Sequence, residues 1–319
     1  MLLMLGLSAL NIGGAPVDVM AHTVWDLLAT MWWGVGLGIL FVGFMAKIPK
    51  EYFSAILGKG GSFNGLLRAC LAGLFLDLCN HGILMVGAKL YERGVSTAQV
   101  MTFLIASPWN SFSLTLILIA LIGFKWTMVF IVLSAVIALV TGLLFQLCET
   151  HTLLPKNPNH VEVPEAFCVT ADAKKRLKTF KPSIPFFVSI IKDSQNEAAM
   201  LLRWLFFSVV LIALTRAFLP MDMFESMFGP TVLGLFATLG VATVLEICSE
   251  GSAPIASEFI KSANAPGNAF TFLMAGVSTD YTEILILKDA TKSWKIALFL
   301  PLLSVPQILL IGYAMNVAG

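Results

Sequence analysis

Residues 126–147 read WTMVFIVLSAVIALVTGLLFQL, a stretch without a single charged side chain. A helix that spans a bilayer needs about 20 predominantly apolar residues, so this stretch predicts a transmembrane helix. Lys125 and Trp126 stand at its start, where such side chains typically anchor a helix at the membrane interface. The stretch therefore indicates a fold that is built in lipid.

The composition extends this prediction to the whole chain. Of its 319 residues, 58% are hydrophobic and 12% are charged, and the mean hydropathy is +0.87. Soluble domains carry about 25% charged residues, so most of this protein surface must face lipid. We predict an all-α, polytopic membrane helix bundle, located as a multi-pass protein in the inner (plasma) membrane of a cell.

Charge and motifs exclude several classes of function. A net charge of +1 leaves no basic face for nucleic acid. The sequence has no His-Glu-x-x-His zinc motif, no Gly-x-Ser-x-Gly elbow and no phosphate-binding loop, which argues against an enzyme and against a self-powered ATPase. No cofactor is expected. The expected partners are a small-molecule or ion substrate and the lipid bilayer, and homo-oligomerisation stays open.

Eight hydrophobic segments occur along the chain, four on each side of a polar stretch. They are Thr23–Ala46, Leu66–Lys89, Val100–Gly123, Trp126–Leu147, Met200–Phe218, Thr231–Phe259, Ala269–Leu287 and Ile296–Met315. The layout predicts an N-terminal repeat over residues 1–148, a linker loop over 149–182 and a C-terminal repeat over 183–319. The second repeat begins with Ser183–Lys192, which we expect to form a helix lying in the membrane interface.

The two halves resemble each other in sequence. An offset of 169 residues relates Cys79 to Cys248, and each cysteine is followed three residues later by a glycine. The same offset relates Thr102-Phe103-Leu104 to Thr271-Phe272-Leu273 without a gap. Shared apolar composition would not supply cysteine, glycine and a preceding acid in the same order, so we predict an internal duplication.

Each half is interrupted by polar residues at the same two places. The first interruption reads acid-x-Cys-polar-polar-Gly, at Asp77–Gly82 and again at Glu246–Gly251. The second is Ser107–Asn110 in one half and Gly276–Asp280 in the other. Irregular backbone at membrane depth occurs only where protein or water surrounds it, and secondary transporters bind substrate at matched helix breaks. The residues predicted to break the helices are Gly82, Pro108, Gly251 and Gly276.

The pair Cys79 and Cys248 is the sharpest chemical signal at these interruptions. If the halves pack about a pseudo-two-fold axis, the two thiols converge there and would bind a thiophilic centre such as arsenic(III). Together with His81 and Glu250 they form a donor set that also suits zinc or copper. The alternative interpretation is that both cysteines are small packing residues beside glycine.

Acidic and polar side chains complete the predicted site. Asp77, Glu246 and Glu250 are candidates for proton coupling, because carboxylates that lie close together in a low dielectric cannot all ionise cheaply. Pairing with basic residues near an interface is the alternative for these acids. The residues expected to line the substrate cavity, or otherwise to satisfy helix ends, are Cys79, Asn80, His81, Cys248, Ser249, Glu250, Ser107, Asn110, Ser278, Thr279 and Asp280.

At these positions the sequence resembles the predicted-permease family that includes the bacterial organoarsenical efflux permease ArsP. The matching residues are Ile48-Pro49, Phe53, Leu57-Gly58-Lys59-Gly60, Cys79, Gly82, Gly94, Phe103–Pro108, Cys248-Ser249 and Phe272–Gly276. The resemblance implies a permease, with trivalent organoarsenicals or soft metal ions as the substrates of studied members. Relatives often carry Cys-Ser-Cys-Gly at the first interruption, whereas this chain has Cys79-Asn80-His81-Gly82 and lacks one of those thiols.

The expected function is therefore secondary-active efflux of a small thiophilic solute of the trivalent organoarsenical type, a role in arsenic resistance. A soft or divalent metal exporter and a transporter of a small sulfur anion stay open as alternatives, with an intramembrane enzyme as a remote one. The lysines and arginines of the short loops do not fix the membrane orientation. If some interrupted segments are re-entrant, an odd number of spans per half would also allow inverted repeats, and parallel and inverted repeats both stay open.

Overall fold

The computed structural model describes residues 17–22, 24–25, 29, 57–58, 60–75, 80–107, 112–159, 228–244, 249–261 and 263–318. Over these residues the regular structure is helical, and three helical stretches are long and apolar enough to cross a membrane: Phe124–Thr150, Pro266–Thr291 and Trp294–Ala318. The prediction of an all-α membrane bundle is confirmed at this level. The predicted segments Met200–Phe218 and Ser183–Lys192 lie outside the described residues. Most of the predicted segment Thr23–Ala46 does so as well.

Ten helices are bounded within the described part of the chain. In the first half they are α1 (Phe63–Phe75), α2 (Asn80–Glu92), α3 (Thr97–Ala106), α4 (Phe112–Ile122) and α5 (Phe124–Thr150). In the second half they are α6 (Val232–Val244), α7 (Ser249–Lys261), α8 (Pro266–Thr279), α9 (Tyr281–Thr291) and α10 (Trp294–Ala318).

The helix bounds recur at the offset that relates the cysteines. The step of 169 from Phe63 to Val232 carries both ends of α1, α2 and α4 onto both ends of α6, α7 and α9. It also carries the start of α3 onto the start of α8. The packing partners correspond as well, since α1 and α5 pack on α3 just as α6 and α10 pack on α8.

Helices α1 and α2 run in opposite directions beside α3. At the start of α3, Gln99 Nε2 donates hydrogen bonds to the carbonyls of Leu57 (2.9 Å) and Gly58 (3.3 Å), just ahead of α1. At the end of α3, a Cβ added to Gly73 of α1 would lie 3.1 Å from Ala106. Helix α2 then returns to the level of the start of α3 through the turn at Gly94 (φ +91°), the left-handed geometry that glycine adopts without strain.

The second half repeats this arrangement with its own residues. Asn268 Nδ2, near the start of α8, donates to the carbonyls of Phe228 and Gly229, both at 3.2 Å, just ahead of α6. A helix of 13 residues is about 20 Å long at 1.5 Å per residue. That length is short of the roughly 30 Å hydrocarbon core, so neither α1 nor α6 crosses a bilayer alone.

The long helices α5 and α10 agree with the spans predicted at residues 126–147 and 296–315. Helix α5 runs back past α3 at very close range, because a Cβ added to Gly142 would collide with the hydroxyl of Thr102. Thr271 of α8 and Gly312 of α10 make the equivalent contact. Small residues at such crossings let membrane helices approach closely. Helix α5 continues to Thr150, two residues into the predicted linker, of which the structure describes residues up to 159.

The two halves touch through reciprocal pairs of helices. Helix α2 of the first half packs on α9 of the second, and α7 of the second half packs on α4 of the first. The equivalent helices α5 and α10 also pack on each other, as do α3 and α8. In this interface the ring of Phe130 meets that of Phe270 edge-on, with centroids 5.5 Å apart.

Candidate functional site

In the second half the helices α6 and α8, which lead to the two predicted interruptions, have their ends side by side. Helix α6 ends at Val244 and helix α8 ends at Thr279. The hydroxyl of Thr243 lies 2.8 Å from the hydroxyl of Thr279, within hydrogen-bonding distance. The ends of α6 and α8 therefore lie at the same place in the bundle.

The first half brings its helix ends together in the same way, by close packing. A Cβ added to Gly73 of α1 would collide with the carbonyl of Phe103, which lies one turn before the end of α3. Ser107 follows directly and is fully buried, and its hydroxyl donates to the carbonyl of Leu104 at 2.6 Å. Ser107, the first residue of the predicted interruption Ser107–Asn110, thus lies next to the end of α1.

The helices that begin at or directly after the predicted interruptions pack across the contact between the two halves. Helix α2 begins at Asn80 and packs on α9, which begins at Tyr281. Helix α7 begins at Ser249 and packs on α4, which begins at Phe112. In both cases a helix that begins at the first interruption of one half packs on the helix that begins after the second interruption of the other half.

The predicted site residues fall into three groups. Those outside the described residues are Asp77, Cys79, Pro108, Asn110, Glu246 and Cys248. Those whose backbone alone is described form the first two residues of α2 and of α7, namely Asn80, His81, Ser249 and Glu250. The polar residues with described side chains are Ser107, Ser278, Thr279 and Asp280.

The glycines predicted to break the helices lie inside them. Gly82 and Gly251 are the third residues of α2 and α7, and Gly276 precedes the end of α8 by three residues. The chain departs from the helix at Asp280, whose φ of −58° and ψ of +131° are extended and open to any residue. Its carboxylate accepts a hydrogen bond from the Thr282 N–H (3.0 Å) and caps α9, which is why an acid and not a glycine marks this turn.

Two of the predicted cavity-lining hydroxyls bond to their own helix. Ser278 Oγ lies 3.4 Å from the carbonyls of Met274 and Ala275, and Thr279 Oγ1 lies 2.8 Å from the latter. Such bonds satisfy hydroxyls in an apolar interior. They favour the interpretation that these side chains complete the helix end.

Open space adjoins this helix end. A Cβ added to Gly276 would meet no atom of the described residues within 4 Å, although the glycine is only partly exposed. The glycine lies one helical turn before Asp280 on α8. The last turn of α8 therefore borders room that a larger side chain would occupy.

Two acids are buried where α9 begins. Asp280 is 5% exposed and Glu283 is 8% exposed. They belong to the stretch Pro266–Thr291, which is the most enclosed of the three candidate spans. An ionised acid in such a place costs about 2.5–3.5 kcal/mol on insertion scales, so buried acids there indicate a functional site.

Glu283 is absent from the residues that the sequence singled out. A signal was present, because Asp280-x-x-Glu283 has the spacing of a capping box at the start of a helix. The pattern marks a helix start inside an apolar segment, but it does not say which way the side chains face. Burial of Glu283 needed the packed structure.

The predicted metal ligands stay a prediction. Among the residues described, no group of three His, Cys, Asp or Glu side chains lies close enough to hold a metal ion. Cys79 and Cys248 lie outside those residues, and only the backbone of His81 and Glu250 is described.

Comparison with known proteins gives a family and a relative. The family described as a predicted permease, ArsP_1, matches residues 18–317. The UPF0718 protein YcgR of Bacillus subtilis is 24% identical over 261 residues, which are 80% of this chain and 83% of that protein. No solved structure matches the chain.

Proposed function

The chain belongs to the ArsP_1 family of predicted permeases, and on that premise we propose that it is a secondary-active exporter of a small thiophilic solute. The solute class is that of trivalent organoarsenicals. The observation that carries the proposal is the contact between the ends of α6 and α8 at Thr243 and Thr279, followed by the buried Asp280 and Glu283. A bundle needs such an arrangement for a polar path and has no use for it as a scaffold.

The transport cycle would use two inverted repeats. In the second half the helix α8 starts beside the end of the long helix α10, where the Gly267 N–H donates to Asn316 Oδ1 at 2.8 Å. Parallel halves would then put Phe270 near the end of α5. Phe270 instead contacts Phe130, which lies near the start of α5. Phe130 is about 18 Å along the helix from Gly142, which lies toward the end of α5. This contact supports halves of opposite orientation, which would exchange conformations to open the site to either side.

The substrate would be bound by the thiols of Cys79 and Cys248. Each cysteine directly precedes the first residue of a helix, α2 or α7, that packs against the opposite half. Soft thiolate ligands suit a soft centre such as arsenic(III). Asn80, Ser249 and the other residues at the helix starts would line the cavity around it.

A soft metal ion exporter is the second candidate, favoured by the donor set Cys79, His81, Cys248 and Glu250. The small sulfur anion is less favoured. The start of a helix attracts anions, but α9 has Asp280 as its N-cap and carries Glu283 in its first turn. These acids offset the positive end of the helix and favour a neutral or cationic solute.

Uptake into everted membrane vesicles tests the proposal. Wild type and the variants Cys79→Ser and Cys248→Ser are compared with methylarsenite, arsenite, zinc, copper(I) and thiosulfate as probes. We expect uptake of methylarsenite that both substitutions abolish. Cys148→Ser is the matched control, since Cys148 lies near the far end of α5. Uptake of methylarsenite that is unchanged in both cysteine variants, or uptake of thiosulfate alone, would contradict the assignment.

A further inference from the structure

We propose that Glu283 is the carboxylate that binds the coupling proton of this permease. The inference rests on the proposed function and deepens it. In the outward-facing state the Glu283 carboxylate takes up a proton and the solute leaves. In the inward-facing state the carboxylic acid releases that proton to the cytoplasm and the site reloads with solute.

The position of Glu283 suits a proton that must be reached from both sides. It is the third residue of α9, directly after the turn at Asp280 that interrupts the span Pro266–Thr291. It therefore lies near the middle of a membrane-length stretch and not at a membrane surface. Helix α9 packs on α2 of the other half, so a rearrangement between the halves changes the surroundings of this helix.

Glu283 differs from the polar residues that occur at equivalent positions of the two halves. Gln99 and Asn268, for example, are related by the offset of 169 and donate to matching carbonyls in their own halves. The equivalent of Glu283 at that offset is Leu114, which is apolar and carries no proton to exchange. Leu114 shows that the other half forms the equivalent helix without a carboxylic acid at this position. A single proton site would be needed once.

Within the described part of the chain, the ion pairs on α9 and α2 lie toward the ends of those helices. On α9 Lys288 pairs with Asp289 (2.8 Å), and on α2 Lys89 pairs with Glu92 (2.9 Å). Helix α8 carries no titratable residue. On the described helices that pack against α9, the remaining titratable groups are His81 and Tyr91 on α2 and Lys295 and Tyr313 on α10, with Asp280 and Tyr281 where α9 begins.

A structural role at the same position makes a different prediction. The third helical residue after an N-cap is where Glu or Gln closes a capping box. Glutamine preserves that role and carries no titratable proton, so Glu283→Gln separates capping from coupling. Asp289→Asn is the matched control, because it removes an acid from the same helix at its far end.

The experiment compares two transport modes in proteoliposomes with methylarsenite as the probe. Wild type is expected to accumulate methylarsenite in an acidic lumen and to exchange it at uniform pH. Glu283→Gln is expected to lose the pH-driven accumulation and to keep the exchange, whereas Asp289→Asn keeps both. Accumulation by Glu283→Gln that equals that of wild type overturns the proposal. Absence of transport in wild type would instead count against the proposed solute.

A second measurement does not depend on the solute. Infrared difference spectra between acidic and neutral buffer record the C=O stretch of a carboxylic acid that gains its proton. We expect a band in wild type and Asp289→Asn that is lost in Glu283→Gln. A band of unchanged size in Glu283→Gln would overturn the assignment, whichever solute is carried.

Discussion

The hydroxyls of Thr243 and Thr279 lie 2.8 Å apart and link the end of α6 to the end of α8. Thr243 Oγ1 is also 2.9 Å from the carbonyl of Leu239, and Thr279 Oγ1 is 2.8 Å from that of Ala275. Each hydroxyl carries one proton, so only two of these three hydrogen bonds form at once. The contact between the two helix ends therefore competes with hydrogen bonds inside each helix.

Removing one hydroxyl should weaken this link without unfolding the bundle. In Thr279→Val the isosteric side chain keeps the packing and loses the bond, so we expect a loss of about 0.5–1.5 kcal/mol of stability and slower transport. A double-mutant cycle with Thr243→Val, measured by thermal unfolding in detergent, gives the coupling between the two side chains. Thr279→Ser is the control and should retain both properties. Strictly additive effects would show that the two hydroxyls do not interact.

The matched amides Gln99 and Asn268 should matter more for stability. Each donates to two carbonyls that lie just ahead of a helix, α1 for Gln99 and α6 for Asn268. Substitution by leucine leaves those buried carbonyls without this donor, which costs about 1–3 kcal/mol per group. Thermal unfolding should therefore show similar losses in Gln99→Leu and Asn268→Leu. Gln146→Leu, which removes an exposed bond to the carbonyl of Gly61, should have a smaller effect, and an equal one would contradict this account.

Much of this arrangement is encoded in patterns that the sequence displays openly. The uncharged run 126–147 predicts α5, and the offset between Cys79 and Cys248 anticipates the recurrence of helix bounds. Both follow from local rules, namely the apolar length that lipid demands and the similarity of residues at equivalent positions.

Other features depend on contacts between distant segments. The packing of α2 on α9 joins residues from opposite halves, and no local pattern in either helix announces it. The burial of Glu283 depends on how α9 is rotated about its axis. The sequence predicts the interruption of this span at Gly276–Asp280 and takes Gly276 as the residue that breaks the helix, because glycine is the residue most permissive of turns. The structure places the turn at Asp280 and uses a capping acid with extended dihedrals instead.

Two glycines should respond to alanine in opposite ways. A Cβ at Gly142 would collide with the Thr102 hydroxyl, so Gly142→Ala must push α5 away from α3 and should destabilise the protein. A Cβ at Gly240 in α6 would meet nothing within 4 Å. Gly240→Ala should therefore stabilise the helix by about 0.5–1 kcal/mol. Thermal unfolding of both variants checks this, and equal melting temperatures would contradict the close crossing.

The inverted orientation of the halves predicts which helix ends share a side of the membrane. Four exposed residues near helix ends report on this orientation. They are Lys125 at the start of α5, His151 after its end, Lys261 at the end of α7 and Lys295 at the start of α10. Inverted halves place Lys125 with Lys261 on one side, and His151 with Lys295 on the other. Parallel halves place Lys125 with Lys295, and His151 with Lys261.

Single cysteines at these positions, treated with a membrane-impermeant maleimide on intact cells and on everted vesicles, decide between the two arrangements. Wild type treated in the same way gives the background from the five native cysteines. We expect Lys125→Cys and Lys261→Cys to react in one preparation, and His151→Cys and Lys295→Cys to react in the other. The opposite grouping would mean that Phe130 and Phe270 meet for a reason other than inversion. It would also remove the exchange of conformations by which we expect the site to open to each side in turn.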